Sequence, residues 1–193
     1  MKAITRNPGA FGALGIFAAF AFAVVLAVAV LGDAAWTFGD NTLSDLGSSD
    51  VQMSADLFNY GCIVCGIIFA IVGLGKAVCE LGANRASGCL LAISAVFLFL
   101  IGIVHNDFGN GNTHFIIAVL AFAFLAFSAI ASAVGDEKDG FRLNAALTSI
   151  LILVAIGYAI GSSMPAAEVV TVACAIVWII GISAKMVFES RKG

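Results

Sequence analysis

Six stretches of predominantly apolar residues decide what this chain can be, because a helix needs about 20 such residues to cross the hydrocarbon of a bilayer. They run over Ala10–Leu31, Leu57–Val78, Gly88–Val104, Phe115–Val134, Leu143–Gly161 and Ala166–Val187. Their central parts hold no Asp, Glu, Lys, Arg or His. Only Lys76 and Lys185 intrude, each near an end, where a long side chain is expected to snorkel to the interface. Composition points the same way. The 193 residues are 62% hydrophobic and 11% charged, whereas a soluble domain is roughly half apolar and a quarter charged. Abundant Gly (21) and Ala suit helices whose backbones approach closely in lipid. The expected fold class is all-α: a polytopic six-helix membrane bundle in a single transmembrane domain over residues 1–193.

Charge gives the orientation. With the N-terminus taken as cytoplasmic, the inner segments are 1–9, 76–87, 135–142 and the C-terminal tail. These hold Lys2, Arg6, Lys76, Arg85, Lys138, Arg142, Lys185, Arg191 and Lys192, which are all nine basic residues of the chain. The opposite loops hold Asp33, Asp40, Asp45, Asp50, Asp56, Asp107 and Glu168. Basic residues collect on the cytoplasmic side of membrane proteins. A multi-pass protein of the cell membrane with both termini cytoplasmic is therefore expected. The first stretch follows Lys2 and Arg6 as a signal peptide would, but its apolar run is longer than the usual h-region.

Residues 32–56, "GDAAWTFGDNTLSDLGSSDVQMSAD", form the one long outer loop. Loops of that length are usually functional or disordered. Trp36, Phe38, Leu43, Leu46 and Met53 give it apolar area with which to lie on the bundle. Asn41, Ser44 or Asp45 could each cap a short interfacial turn that Gly47 ends, and Ser54 or Asp56 could cap the second helix. Alternatively, Asp45 folds back toward the histidines. Cysteines 62, 65, 79, 89 and 174 are odd in number and lie in or beside helices, which argues against a disulfide framework. The "CIVC" pair, Cys62 and Cys65, reads as buried small hydrophobes.

Both histidines fall in one hydrophilic gap, "IVHNDFGNGNTHF", with Asp107 between them. Its Gly and Asn residues suit a tight turn, and Thr113 or Asn112 is placed to cap the fourth helix. His105 and His114 would then stand at the ends of adjacent helices. Two imidazoles and the Asp107 carboxylate suit a divalent metal such as Zn. A polar cluster facing lipid headgroups and acid–base chemistry without metal are the other two readings.

Ser44-Asp45-Leu46-Gly47 after a first span, Phe58-Asn59 with Gly61 opening a second, and His114 opening a fourth resemble the uncharacterised six-span membrane family catalogued as domain of unknown function 998. The layout is more distantly similar to DRAM/Sfk-type six-span proteins, whose roles concern membrane lipids. The resemblance implies a six-helix integral membrane fold. It also implies that Ser44, Asp45, Asn59 and His114 are family-like polar positions meeting at one outer-face site, with the Tyr60 hydroxyl beside them.

Two functions follow as expectations. One is lipid binding or lipid modification at the outer interface, with His114 as base or metal ligand and Asp45 orienting it. The other is a non-catalytic small subunit or structural module, contacting a membrane-protein partner or its own copies through faces such as Gly157 and Gly161. Transport ranks below both, because the midplane carries no ionisable residue. Nucleic-acid binding has no support, since neither a phosphate loop nor a basic stripe is present.

Overall fold

The computed structural model describes residues 7–105 and 111–191. It has six helices: α1 (Pro8–Gly32), α2 (Gln52–Cys79), α3 (Gly82–Ile101), α4 (Asn112–Lys138), α5 (Arg142–Gly161) and α6 (Met164–Ser190). All six are long and apolar enough to span a membrane. Among the described residues there is no strand, only an isolated bridge between Phe38 and Asn41. The loop before α2 contains a single 3-10 turn, Ser44–Ser48.

Helix ends follow local chemistry, though not always from the residues expected. Asn7 accepts the Gly9 amide at 3.1 Å with Pro8 opening α1. Ser163 accepts the Ala166 amide at 3.4 Å, with Pro165 in the first turn of α6. The other caps differ. Helix α4 starts from Gly111 at φ 77°, and neither Thr113 nor Asn112 caps it; only a residue free of Cβ strain suits that left-handed backbone. Helix α2 starts at Gln52, two residues before Ser54, whose hydroxyl is buried in the bundle instead. Helix α3 begins at Gly82, six residues ahead of the expected Gly88, because the turn after Cys79 is only Glu80 and Leu81.

The helices form a closed ring. Each packs on its neighbours in sequence, most extensively α2 on α3, and α6 closes back on α1. Helix α5 leans outward against α4 and α6 alone among its well-packed neighbours. Inside the ring Phe22 meets Phe69 edge-to-face at 6.3 Å, and Leu46, Val72 and Ile182 are fully buried. Large apolar residues such as Phe17, Leu31, Leu153 and Ile160 face outward, which in a bilayer places them against lipid chains.

Candidate functional site

At the end of the ring opposite the termini, the long loop folds down as a lid. Asp33 begins it. Its carboxylate accepts the Ala35 amide at 2.9 Å and the Ser49 hydroxyl at 2.5 Å, tying the two ends of the loop together. Trp36 donates its indole N–H to the Thr42 carbonyl at 2.8 Å. Thr42 and Asp45 then exchange bonds: the Thr42 amide donates to Asp45 Oδ2 at 2.8 Å, and the Asp45 amide donates to the Thr42 hydroxyl at 3.1 Å. This pairing fixes the 3-10 turn and points Ser44 at α6. The amide and the hydroxyl of Ser44 both donate to Glu168 Oε1 at 3.1 Å. On the other side of the turn, Asn59 of α2 donates to the Gly47 carbonyl at 3.0 Å. A Cβ at Gly47 would lie 2.7 Å from Asn59 Oδ1, so the turn rests on α2 without room for a side chain. Ser163 fastens the outer edge of the loop, donating to the Gly39 carbonyl at 2.7 Å.

The Ser49 hydroxyl, followed by the Ala35 amide, holds the Asp33 carboxyl below its ordinary value of 3.8. A carboxyl depressed in the folded state stabilises at every pH above its unfolded value, and that contribution is lost as pH falls through the folded value. In a Trp178→Phe background, Trp36 emission should hold from neutral pH down to about 4 and shift red only below it. Asp33→Asn should show the red-shifted emission already at neutral pH. Matching curves for the two proteins would disprove the clasp.

Beneath this lid lies a cavity of about 90 Å3 bounded by α1, α2, α3, α4 and α6. Phe22, Phe58, Phe69, Leu98, Leu125 and Ile176 supply most of its character, while Ser44 and Glu168 bring a hydroxyl and a carboxylate to its lid end. Ser94 also lines it but donates to the Ala121 carbonyl at 2.8 Å. A second space of about 150 Å3 between α4, α5 and α6 shares Phe122, Leu125 and Ala175 with the first. The two therefore abut across those three side chains.

The expected polar residues divide between several places. Ser44 joins Glu168, Asp45 is engaged with Thr42, and Asn59 holds Gly47. His114 is buried at the start of α4, with Nδ1 2.6 Å from the Val104 carbonyl. His105 is exposed, and Tyr60 lies on the outer surface of α2 at 64% exposure. Asp107 lies outside the described residues. Among the described residues no three of His, Cys, Asp and Glu are grouped to hold a metal ion.

The opposite end corrects an expectation. Lys76 and Lys185 do not snorkel: Lys76 is fully buried and Lys185 is 6% exposed. Lys76 donates to Glu80 and, at 3.0 Å, to Asn84 Oδ1. Lys185 donates to Asp136 at 2.7 Å and to Glu80 at 3.4 Å, with its ammonium 4.9 Å from the centre of the Phe141 ring. Asn144 donates to the other Asp136 oxygen at 2.5 Å, and Asn84 to Asp139 at 2.9 Å. Partners within reach outweigh the pull of the interface, since a buried ammonium is tolerated when paired and hydrogen-bonded. The network clamps α2, α3, α4, α5 and α6 together.

A ring of six spanning helices, lidded at one end and clamped by buried charges at the other, defines a polytopic integral membrane protein built around an internal apolar cavity. The family profile described as "Protein of unknown function (DUF998)" matches residues 16–185, and the chain belongs to that family. No curated protein and no solved structure matches it.

Two features of the site escape a reading of spans and loops. Glu168 was expected in an outer loop, yet it lies one turn inside α6. The "SSMP" opening that starts the helix at Met164 is the signal that places it there. The clamp has a signal as well: Lys76 reaches Asn84, and Asp136 reaches Asn144, at the same eight-residue spacing across a helical hairpin.

Proposed function

We propose that the protein binds an amphiphilic lipid, with the polar end at Ser44 and Glu168 and the apolar chain inside the helix ring. With both termini cytoplasmic in the cell membrane, as the basic residues indicate, the site faces the outer leaflet. The observation that carries this reading is the carboxylate–hydroxyl pair at the closed end of an apolar cavity that abuts a second space between α4, α5 and α6. Ligand sites have this character: mostly apolar walls with a few placed polar groups. Binding is favoured over catalysis because neither His114, the expected base, nor Asp45, its expected partner, lines the cavity.

Lipid retained through purification in mild detergent, read by native mass spectrometry, tests it. Ala175→Phe fills the junction between the two spaces and should lower retained lipid at least about tenfold, the effect of ~1.4 kcal/mol. Wild-type protein carrying no more lipid than Ala175→Phe would refute the reading. A second reading, as a small subunit of a membrane assembly, draws on α5, where nothing lies within 4 Å of a Cβ built at Gly157 or Gly161. Co-purification of a stoichiometric partner that is lost on Gly157→Leu would favour it.

A further inference from the structure

Glu168 has a chemical requirement that the described residues leave unmet. Among the described residues no salt bridge reaches it. Lys185, the nearest basic residue further along the same helix, is about 25 Å away at 1.5 Å per residue. Every other Lys and Arg described stands at that same far end of the bundle. Both hydrogen bonds from Ser44 go to Oε1, and the Leu43 amide is a further neutral donor to the same carboxylate. The carboxylate thus borders an apolar cavity with three neutral donors from Leu43 and Ser44 and, among the described residues, no counter-charge. Ionisable groups in such places are costly unless paired and mark functional sites. Asp45 acts on Glu168 as a further negative neighbour, which disfavours any anionic group beside it.

We infer that the polar end of the bound amphiphile is a primary ammonium group, docked on Glu168 beside Ser44 with its chain in the cavity beneath. This rests on the amphiphile reading and narrows it to one headgroup chemistry. An ammonium supplies the missing charge and up to three donors, which the remaining lone pairs of the carboxylate and the Ser44 hydroxyl oxygen are able to accept. A hydroxyl headgroup supplies one donor and no charge. A phosphate supplies the wrong charge.

Dodecylamine, dodecanol and dodecyl phosphate share one chain and differ only at this end, so they separate the alternatives on the unaltered protein. Binding to the detergent-purified, lipid-depleted full chain would be measured by native mass spectrometry and by the shift in thermal unfolding. The amine should bind at least about tenfold more tightly than the alcohol, since hydrogen bonds to charged groups exceed neutral ones by that margin. The phosphate should bind weakest. In Glu168→Gln, which keeps an oxygen for Ser44, the amine's advantage over the alcohol should disappear. Phosphatidylethanolamine competing with dodecylamine where phosphatidylcholine does not would assign the amine to a phospholipid headgroup. Failure of both phospholipids to compete would assign it to a single-chain amine. Equal binding of amine and alcohol to the wild type, or an amine preference that survives Glu168→Gln, would overturn the ammonium while leaving the lipid cavity standing. If none of the three probes binds, both readings fall together.

Discussion

Asp136→Ala should be among the most damaging single substitutions in the protein. The Asp136 side chain is fully buried and accepts from Lys185, Asn144 and, at 3.5 Å, Ser132. The magnitudes of these partners differ. Neutral side-chain hydrogen bonds between membrane helices average only ~0.6 kcal/mol. Removing one member of a buried ion pair costs about 3–5 kcal/mol, because the other charge is left uncompensated. Lys185 would retain the Phe141 ring face and, as its one carboxylate within 4 Å among the described residues, Glu80 at 3.4 Å, through an oxygen that it shares with Lys76. The stranded ammonium therefore decides the outcome. Asp136→Ala should sharply lower the thermal unfolding midpoint in mild detergent, whereas Asn144→Ala should lower it only slightly. Replacing both charges, Asp136→Leu with Lys185→Met, should recover most of the loss, since apolar isosteres of buried pairs are often neutral or stabilising. A double variant as unstable as the Asp136→Ala single would show that the carboxylate acts through something other than the Lys185 ammonium.

The same clamp shows where the sequence is legible and where it is not. Span number and helical character follow from composition alone, because burial in lipid rewards long apolar runs regardless of what they pack against. The lid turn is legible in part. "NTLSDLG" marks a turn, but that Ser44 reaches α6 depends on residues 124 positions apart. Charge placement misleads for a related reason. A basic residue near a helix end reads as interfacial, and nothing within α6 announces that Asp136 and Glu80 lie across the ring from Lys185. The histidines show the same limit: His114 is buried with Nδ1 at the Val104 carbonyl while His105 is exposed, a difference that the local sequence does not announce. Pairing across helices is set by how the ring closes. Local pattern carries no record of that closure.

Gly88→Leu should do comparable damage by a purely steric route. Helices α2 and α3 are in contact backbone to backbone. A Cβ at Gly88 would lie 2.4 Å from the Ala77 nitrogen and 2.6 Å from the Gly73 carbonyl oxygen. One at Gly73 would lie 2.7 Å from the Ala92 nitrogen, and one at Gly66 2.7 Å from the Phe99 nitrogen. These distances are far inside the ~3.5–4.0 Å at which carbon contacts turn favourable. The atoms met belong to helical main chain, so no rotamer change relieves the overlap and the helix axes must separate. Overpacking costs about 1–3 kcal/mol per insertion, and more where the backbone cannot yield. Gly88→Leu should therefore lower the unfolding midpoint well beyond Gly88→Ala. Gly157→Ala, which meets nothing within 4 Å, should leave it unchanged or raise it through the ~1 kcal/mol helix-propensity advantage of Ala. Separation of α2 from α3 also moves Phe58, Cys62 and Phe69 away from Leu91, Ser94 and Leu98, which face them across the cavity. Any Gly88→Leu protein that survives extraction should thus lose its retained lipid even though Glu168 and Ser44 are intact. Full retention in that variant would mean that the chain binds somewhere other than inside the ring.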